Sequence, residues 1–198
     1  MATLRLTKID VAEAHIIAAV NLYFRDEQPA SAYCLASAAR EILTTLGDKT
    51  GIQTVLHDIA AAKENSLAET VRKAHEFANF FKHANRDPAA ILDFPEDQLE
   101  TVLFIACHDF GRIAGGMPVQ AQVYEAYYWA QVFPRIQNAP HRYRQTILNC
   151  AQKFQGVRTA SREDKRRIGL EVLEQALADP SLAMEIKRQV ALPQRSED

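Results

Sequence analysis

The chain has 198 residues, of which 47% are hydrophobic and 24% charged, with a net charge of −2 and a pI near 6.3. This is enough apolar material for a packed core, and it excludes a polycation, a disordered chain, a collagen and a coiled-coil rod. Seven glycines and eight prolines are too few for a turn-rich all-β protein, and three cysteines without C-x-x-C spacing form neither a disulfide framework nor a zinc ribbon.

Met1 to Asp10 contains no apolar segment of the kind that opens a signal peptide. From Thr7 onward Val11, Ala14, Ile17, Ala18 and Leu22 recur at helical spacing, and Thr7-x-x-Asp10 has the form of a capping box. The pattern predicts a first helix ending near Arg25. A second is expected from Pro29 to Leu46, stopped by Gly47 and carrying the small residues Ala32, Ala36 and Ala39 for close helix approach. A shorter one spans roughly Ile52 to Ala62.

Ser66-x-x-Glu69 opens a third long helix that the periodicity carries to about Asn85, before Asp87-Pro88. Pro95 to Ile113 is apolar almost all round, as a central helix would be. Gly115-Gly116-Met117-Pro118 breaks it, and an aromatic helix follows from Val119 to about Phe133 with Tyr124, Tyr127, Tyr128 and Trp129. Pro140 and Gly156 bracket another helix, Ser161-x-x-Asp164 caps one running to Ala178, and a last short helix is expected after Pro180. No stretch alternates as a strand would. The reading is an all-α helical bundle of seven to nine helices. It forms a single domain over 1–198, with a possible division into a core bundle (1–133) and a basic C-terminal extension (134–198).

Charge is uneven along the chain. Arg135 to Arg167 holds nine Lys or Arg against two acidic residues, so the rest carries −9. Such a block either faces phosphate or an acidic partner, or is simply solvated. Cys34, Cys107 and Cys150 each sit in apolar stretches and read as buried thiols. No run approaches the roughly 18 apolar residues of a membrane span, so the chain reads as cytoplasmic without a membrane partner.

The third long helix carries the leading candidate site. Arg72, His75, Asn79, Lys82, His83 and Arg86 share one polar sector, opposite Val71, Ala74, Phe77, Ala78 and Phe81. A face of donors and imidazoles suits phosphate. Arg72, Asn79, Lys82 and Arg86 would bind it, and His75 or His83 would move protons. The structural alternative is a face that pairs with acidic residues elsewhere. A second group, His108-Asp109 with Arg112, lies on the central apolar helix, where charged groups require partners. It reads either as a buried ion pair or as a pocket lining.

Two short matches carry less weight. His57-Asp58 resembles the His-Asp doublet of HD-type metal phosphohydrolases, with His15 and Asp109 as further ligands in that reading. Arg135-Ile-Gln-Asn-Ala-Pro-His141 has the R-x(4–6)-H spacing of HEPN ribonucleases, but Pro140 breaks the helix that would hold the two side chains together. No P-loop, dinucleotide fingerprint, H-E-x-x-H or G-x-S-x-G is present. The residues name no cofactor and no metal.

Ala78-Asn79-Phe80-Phe81-Lys82-His83-Ala84-Asn85-Arg86-Asp87-Pro88, together with Ser31 to Leu43, resembles a bacterial family of uncharacterised all-helical proteins that share an ANFFKHA-x-RDP-like stretch. The likeness covers about the first 130 residues and implies no activity. The general helix order is similar to HEPN-like bundles, which implies a homodimer binding nucleotide or RNA. The expectations are therefore a phosphate-, nucleotide- or RNA-backbone-binding protein, a homodimeric adaptor built on the aromatic helix, or a metal phosphohydrolase.

Overall fold

Nine α-helices and a closing 3₁₀ turn make up the regular structure among residues 3–63, 66–82, 88–132 and 141–190, which are those described by a computed structural model of the chain. They are α1 (Lys8–Phe24), α2 (Pro29–Thr50), α3 (Val55–Ala62), α4 (Leu67–Ala74), α5 (Glu76–Lys82), α6 (Glu96–Ala114), α7 (Val119–Val132), α8 (His141–Lys153) and α9 (Arg162–Leu177), followed by the turn at Pro180–Leu182. No strand occurs among the described residues, and the architecture is the expected all-α bundle. No helix is long and apolar enough to cross a membrane among them.

Local chemistry sets most boundaries. At α1 the Thr7 hydroxyl accepts the Asp10 N–H at 3.1 Å while Asp10 Oδ2 accepts the Thr7 N–H at 2.8 Å, which satisfies two donors that a helix start would otherwise leave open. Ser161 caps α9 in the same way, accepting the Asp164 N–H at 3.1 Å. Gly115 ends α6 in the left-handed region at φ 69°, where its N–H reaches Gly111 O.

Three boundaries differ from the sequence reading. The second helix runs through Gly47 to Thr50 and ends on Gly51 at φ 72°. Gly47 is a point of close approach instead, since a Cβ there would lie 2.7 Å from both Ile52 O and Thr54 Cγ2. The third long helix is divided into α4 and α5 at His75, whose N–H is shared between Val71 O at 3.1 Å and Arg72 O at 3.2 Å. The short helix expected after Pro180 is one 3₁₀ turn, followed by an extended segment.

The core is laid between α1, α2, α6 and α7, with α9 packed on α1 and α7 and α8 on α7. Ala32, Ala36 and Ala39 are fully buried and let α2 lie close to its neighbours. Tyr23, Phe24, Tyr124 and Tyr127 form an aromatic centre, with Tyr23–Tyr124 and Phe24–Tyr127 edge to face at 5.0 and 5.1 Å. Burying each such ring contributes about 1.5–3 kcal/mol. Phe154, Val157 and Leu173 of the C-terminal third enter the same core. Gly169 brings α9 directly onto the Phe24 ring.

Of the cysteines, only Cys107 is fully buried; Cys34 and Cys150 are half-buried, and none of the three is in a disulfide among the described residues. Burial pushes the Cys107 thiol well up, which makes it inert.

Candidate functional site

Helix α6 is buried on every side except one stripe. Leu103, Ala106, Cys107 and Phe110 have no exposure, whereas Phe104, His108 and Gly111 are partly exposed and Arg112 is exposed. Phe104, His108 and Arg112 are spaced four apart, so they align along one face. The Phe104 ring stacks on Tyr128 at 4.3 Å and on the His108 imidazole at 5.5 Å, and meets Trp129 edge-on at 5.2 Å. The imidazole is thus fixed from one side by an aromatic wall.

Its second restraint is a carboxylate. Nδ1 of His108 lies 2.7 Å from Oε1 of Glu125 on α7, and the same oxygen accepts the Trp129 indole N–H at 3.3 Å. An ionised carboxylate only accepts, so Nδ1 is the donor in this contact. Nε2 takes no hydrogen-bond partner among the described residues. An imidazole oriented by a carboxylate, with its other nitrogen open, is the arrangement a proton-transferring or anion-contacting histidine requires.

Beside this dyad lies a cavity of about 290 Å³, lined by His108, Gly111, Arg112, Gly115, Gly116, Met117, Glu125 and Met184. Its floor is the glycine corner between α6 and α7. One wall is the extended segment that follows the 3₁₀ turn. The Lys187 N–H donates to Ala114 O at 3.0 Å, and Gln122 Nε2 donates to Leu182 O at 2.8 Å. Arg188 pairs with Asp10 at 3.4 Å and with Glu13, tying the segment to α1. The Lys187 chain lies across Gly115, adding a cation near the cavity.

Among the described residues Asp109 does not form the ion pair with an arginine that is one of its two readings. Asp109 turns away from the cavity, fully buried, and its Oδ1 accepts the Val55 N–H at 2.9 Å at the start of α3. Burial raises its carboxyl to about 6, against the opposing pull of the Val55 N–H and Arg112. Arg112 Nη1 donates to Asp58 at 2.9 Å and to the Gln53 carbonyl at 3.0 Å. Its remaining guanidinium nitrogens make no hydrogen bond among the described residues. His108 and Arg112 therefore share a cavity, and Asp109 is a helix cap.

The face on α4 and α5 is only partly described. Arg72 is exposed, and His75 and Asn79 are half-buried. Ala78 is buried and Val71, Phe77 and Phe81 half-buried, so the apolar side faces the bundle as its period requires. The Lys82 side chain, His83 and Arg86 lie outside the described residues, as do Arg135 and the His141 side chain.

His57 and Asp58 take separate partners. The His57 imidazole completes a capping box with Thr54, Nδ1 to Oγ1 at 2.7 Å, and its Nε2 reaches Asp48 at 2.9 Å. Asp58 holds Arg112, and His15 lies half-buried on α1, its Nδ1 without a hydrogen bond among the described residues. Among the described residues no group of three or more His, Cys, Asp or Glu converges as metal ligands would.

Part of the basic block faces carboxylates. Arg162 pairs with Asp26 and with Glu96 at 2.8 Å, Arg166 pairs with Glu96, and Arg167 reaches Glu171 at 2.8 Å. Glu100 completes this cluster, accepting the Tyr23 hydroxyl at 2.6 Å, and burial with Glu96 alongside pushes its carboxyl up to about 7. Glu125 escaped the sequence reading because its partner is 17 residues away on another helix, a separation that carries no motif.

No protein-family model, curated protein or solved structure matches the chain, so the class of protein is defined by the bundle and the site by its own geometry.

Proposed function

We propose that this protein binds a small phosphate-bearing molecule, of the nucleotide class, in the cavity between α6 and α7. Arg112 would neutralise the phosphate and His108 would contact it as proton donor or acceptor. The observation that supports the reading is the His108–Glu125 contact of 2.7 Å at the edge of a cavity that Arg112 also lines. A carboxylate behind an imidazole holds it in one tautomer and stabilises the protonated ring when a phosphate approaches. A volume of about 290 Å³ is at the lower end for ligand pockets and suits a phosphate with part of an attached group.

The donor face at Arg72, His75 and Asn79 supports the same ligand chemistry at a second place, along a longer phosphate backbone. Titration calorimetry with inorganic phosphate, adenosine monophosphate and a short oligoribonucleotide tests both. Binding of the first two that is lost in Arg112→Ala and His108→Ala is the expected result. Binding of the oligoribonucleotide alone, abolished by Arg72→Ala with His75→Ala, would move the site to α4 and α5. Light scattering on the same samples reads the homodimer implied by the HEPN-like resemblance.

A further inference from the structure

The side of α2 that faces α6 carries Tyr33, Arg40, Thr44 and Gly47 at helical spacing, all buried. The run of short helices α3 to α5 forms a roof whose two ends stand on this stripe. At one end the Phe77 and Phe81 rings of α5 stand 6.1 and 5.6 Å from Tyr33. At the other, Ile52 and Thr54 press on Gly47 at the start of α3. Arg40 lies midway, with 0% exposure, the largest fully buried side chain among the described residues.

None of the three Arg40 guanidinium nitrogens has a hydrogen-bond partner among the described residues, and none forms an ion pair there. Thr44 Oγ1, one turn along, is buried and unpaired as well, and so are Thr70 Oγ1 on α4 and Oδ2 of Asp109 on α6. A guanidinium cannot escape burial by losing its proton. Asp109 of α6 and Glu41 act on it only through space, without a hydrogen bond, and a buried cation so weakly countered is poorly tolerated in a core. Its planar fork of five N–H donors matches the two coplanar oxygens of an oxyanion, and a threonine hydroxyl supplies a further neutral donor.

We propose that Arg40 is the centre of an internal oxyanion site between α2, α6 and the α3–α5 roof, holding a planar anion of about the size of formate or nitrate. Thr44 donates to the same anion. Asp109 of α6 interacts electrostatically with Arg40, and burial favours its protonated form in mildly acid solution, where its unpaired Oδ2 adds one more donor. The site is separate from the cavity beside His108, which neither Arg40 nor Thr44 lines, and it does not depend on the phosphate reading.

The test is the melting temperature of the full chain at constant ionic strength, with chloride replaced in turn by formate, acetate and nitrate. At about 100 times its dissociation constant, a bound anion raises the melt by about 5 °C or more. The rise should persist in Arg112→Ala and vanish in Arg40→Met, which in chloride should melt at or above the wild type because it removes a lone buried charge. A rise with formate and acetate only identifies a carboxylate ligand, whereas an equal rise with nitrate identifies an inorganic one. Wild type that responds to no oxyanion beyond chloride, or a response that survives in Arg40→Met, overturns the proposal. Should Arg40→Met not fold, Thr44→Val decides: it should weaken binding of the active anion about tenfold, and an unchanged dissociation constant overturns the site.

Discussion

Arg166 of α9 lies over the ring of Tyr23 of α1, its guanidinium carbon 3.2 Å from the ring centroid, while its Nη2 holds Glu96 and its Nη1 stands 3.8 Å from Glu100. One side chain thereby joins α1, α6 and α9, and its exposure is only 5%. The stacking and the ion pair act together, because a planar cation meets an aromatic face without giving up its in-plane donors.

Replacing Arg166 by Met should leave Glu96 and Glu100 without that buried partner. Urea unfolding should show a loss of about 3 kcal/mol, at the lower end for a broken buried pair because Arg162 still holds Glu96. Arg166→Lys should recover less than half, since an ammonium neither stacks nor forks. Full recovery by Lys would reduce the contact to charge alone.

Stability should fall as pH rises from about 4.5 to 7. The Glu100 carboxyl stands at about 7 in the folded chain against 4.5 unfolded, so the native state keeps a proton that the unfolded state releases. Asp109, at about 6 against 3.8, adds to the same slope. The carboxylates held low by hydrogen bonds, Asp10, Asp164 and Asp179, act in the opposite sense but only at lower pH. Glu100→Gln keeps an acceptor for the Tyr23 hydroxyl and should flatten the decline. Equal slopes in variant and wild type would remove Glu100 from the account.

Gly169→Ala should destabilise, although alanine is the better helix former by about 1 kcal/mol. A Cβ at Gly169 would lie 2.1 Å from Cε1 of Phe24, a ring only 1% exposed and packed against Tyr124 and Tyr127. Overpacking of this kind costs about 1–3 kcal/mol, so the net change is a loss, read as a lower thermal midpoint. A more stable variant would show that α9 can move off α1 freely.

Trp129 is the single tryptophan, and its indole N–H shares Glu125 Oε1 with His108. Phosphate binding at His108 should therefore change its emission, and Glu125→Ala should shift the emission of the unliganded protein. A ligand that binds by calorimetry yet leaves Trp129 emission unaltered lies elsewhere.

The helices and their caps were legible because their determinants are local. Thr7 with Asp10 and Ser161 with Asp164 are each three residues apart, and both caps form as their spacing implies. Gly47 misled the reading, since a glycine needed for close packing looks like a glycine that ends a helix. The division at His75 left no mark because Val71 to Asn79 keeps helical periodicity across it. Neither the Glu125 partner of His108 nor the isolation of Arg40 could be read from spacing. Both depend on which helices meet, and Arg40 sits among alanines that give no sign of a roof above it.

The segment that walls the His108 cavity is synthesised after the helices it closes over. Met184, Lys187 and Arg188 leave the ribosome after every helix they touch, so α1, α6 and α7 have the opportunity to assemble before the cavity has its final wall. Synthesis interrupted before Leu182 would leave those helices with an open cleft at the glycine corner. Whatever that cavity holds is therefore enclosed only once translation has passed Arg188.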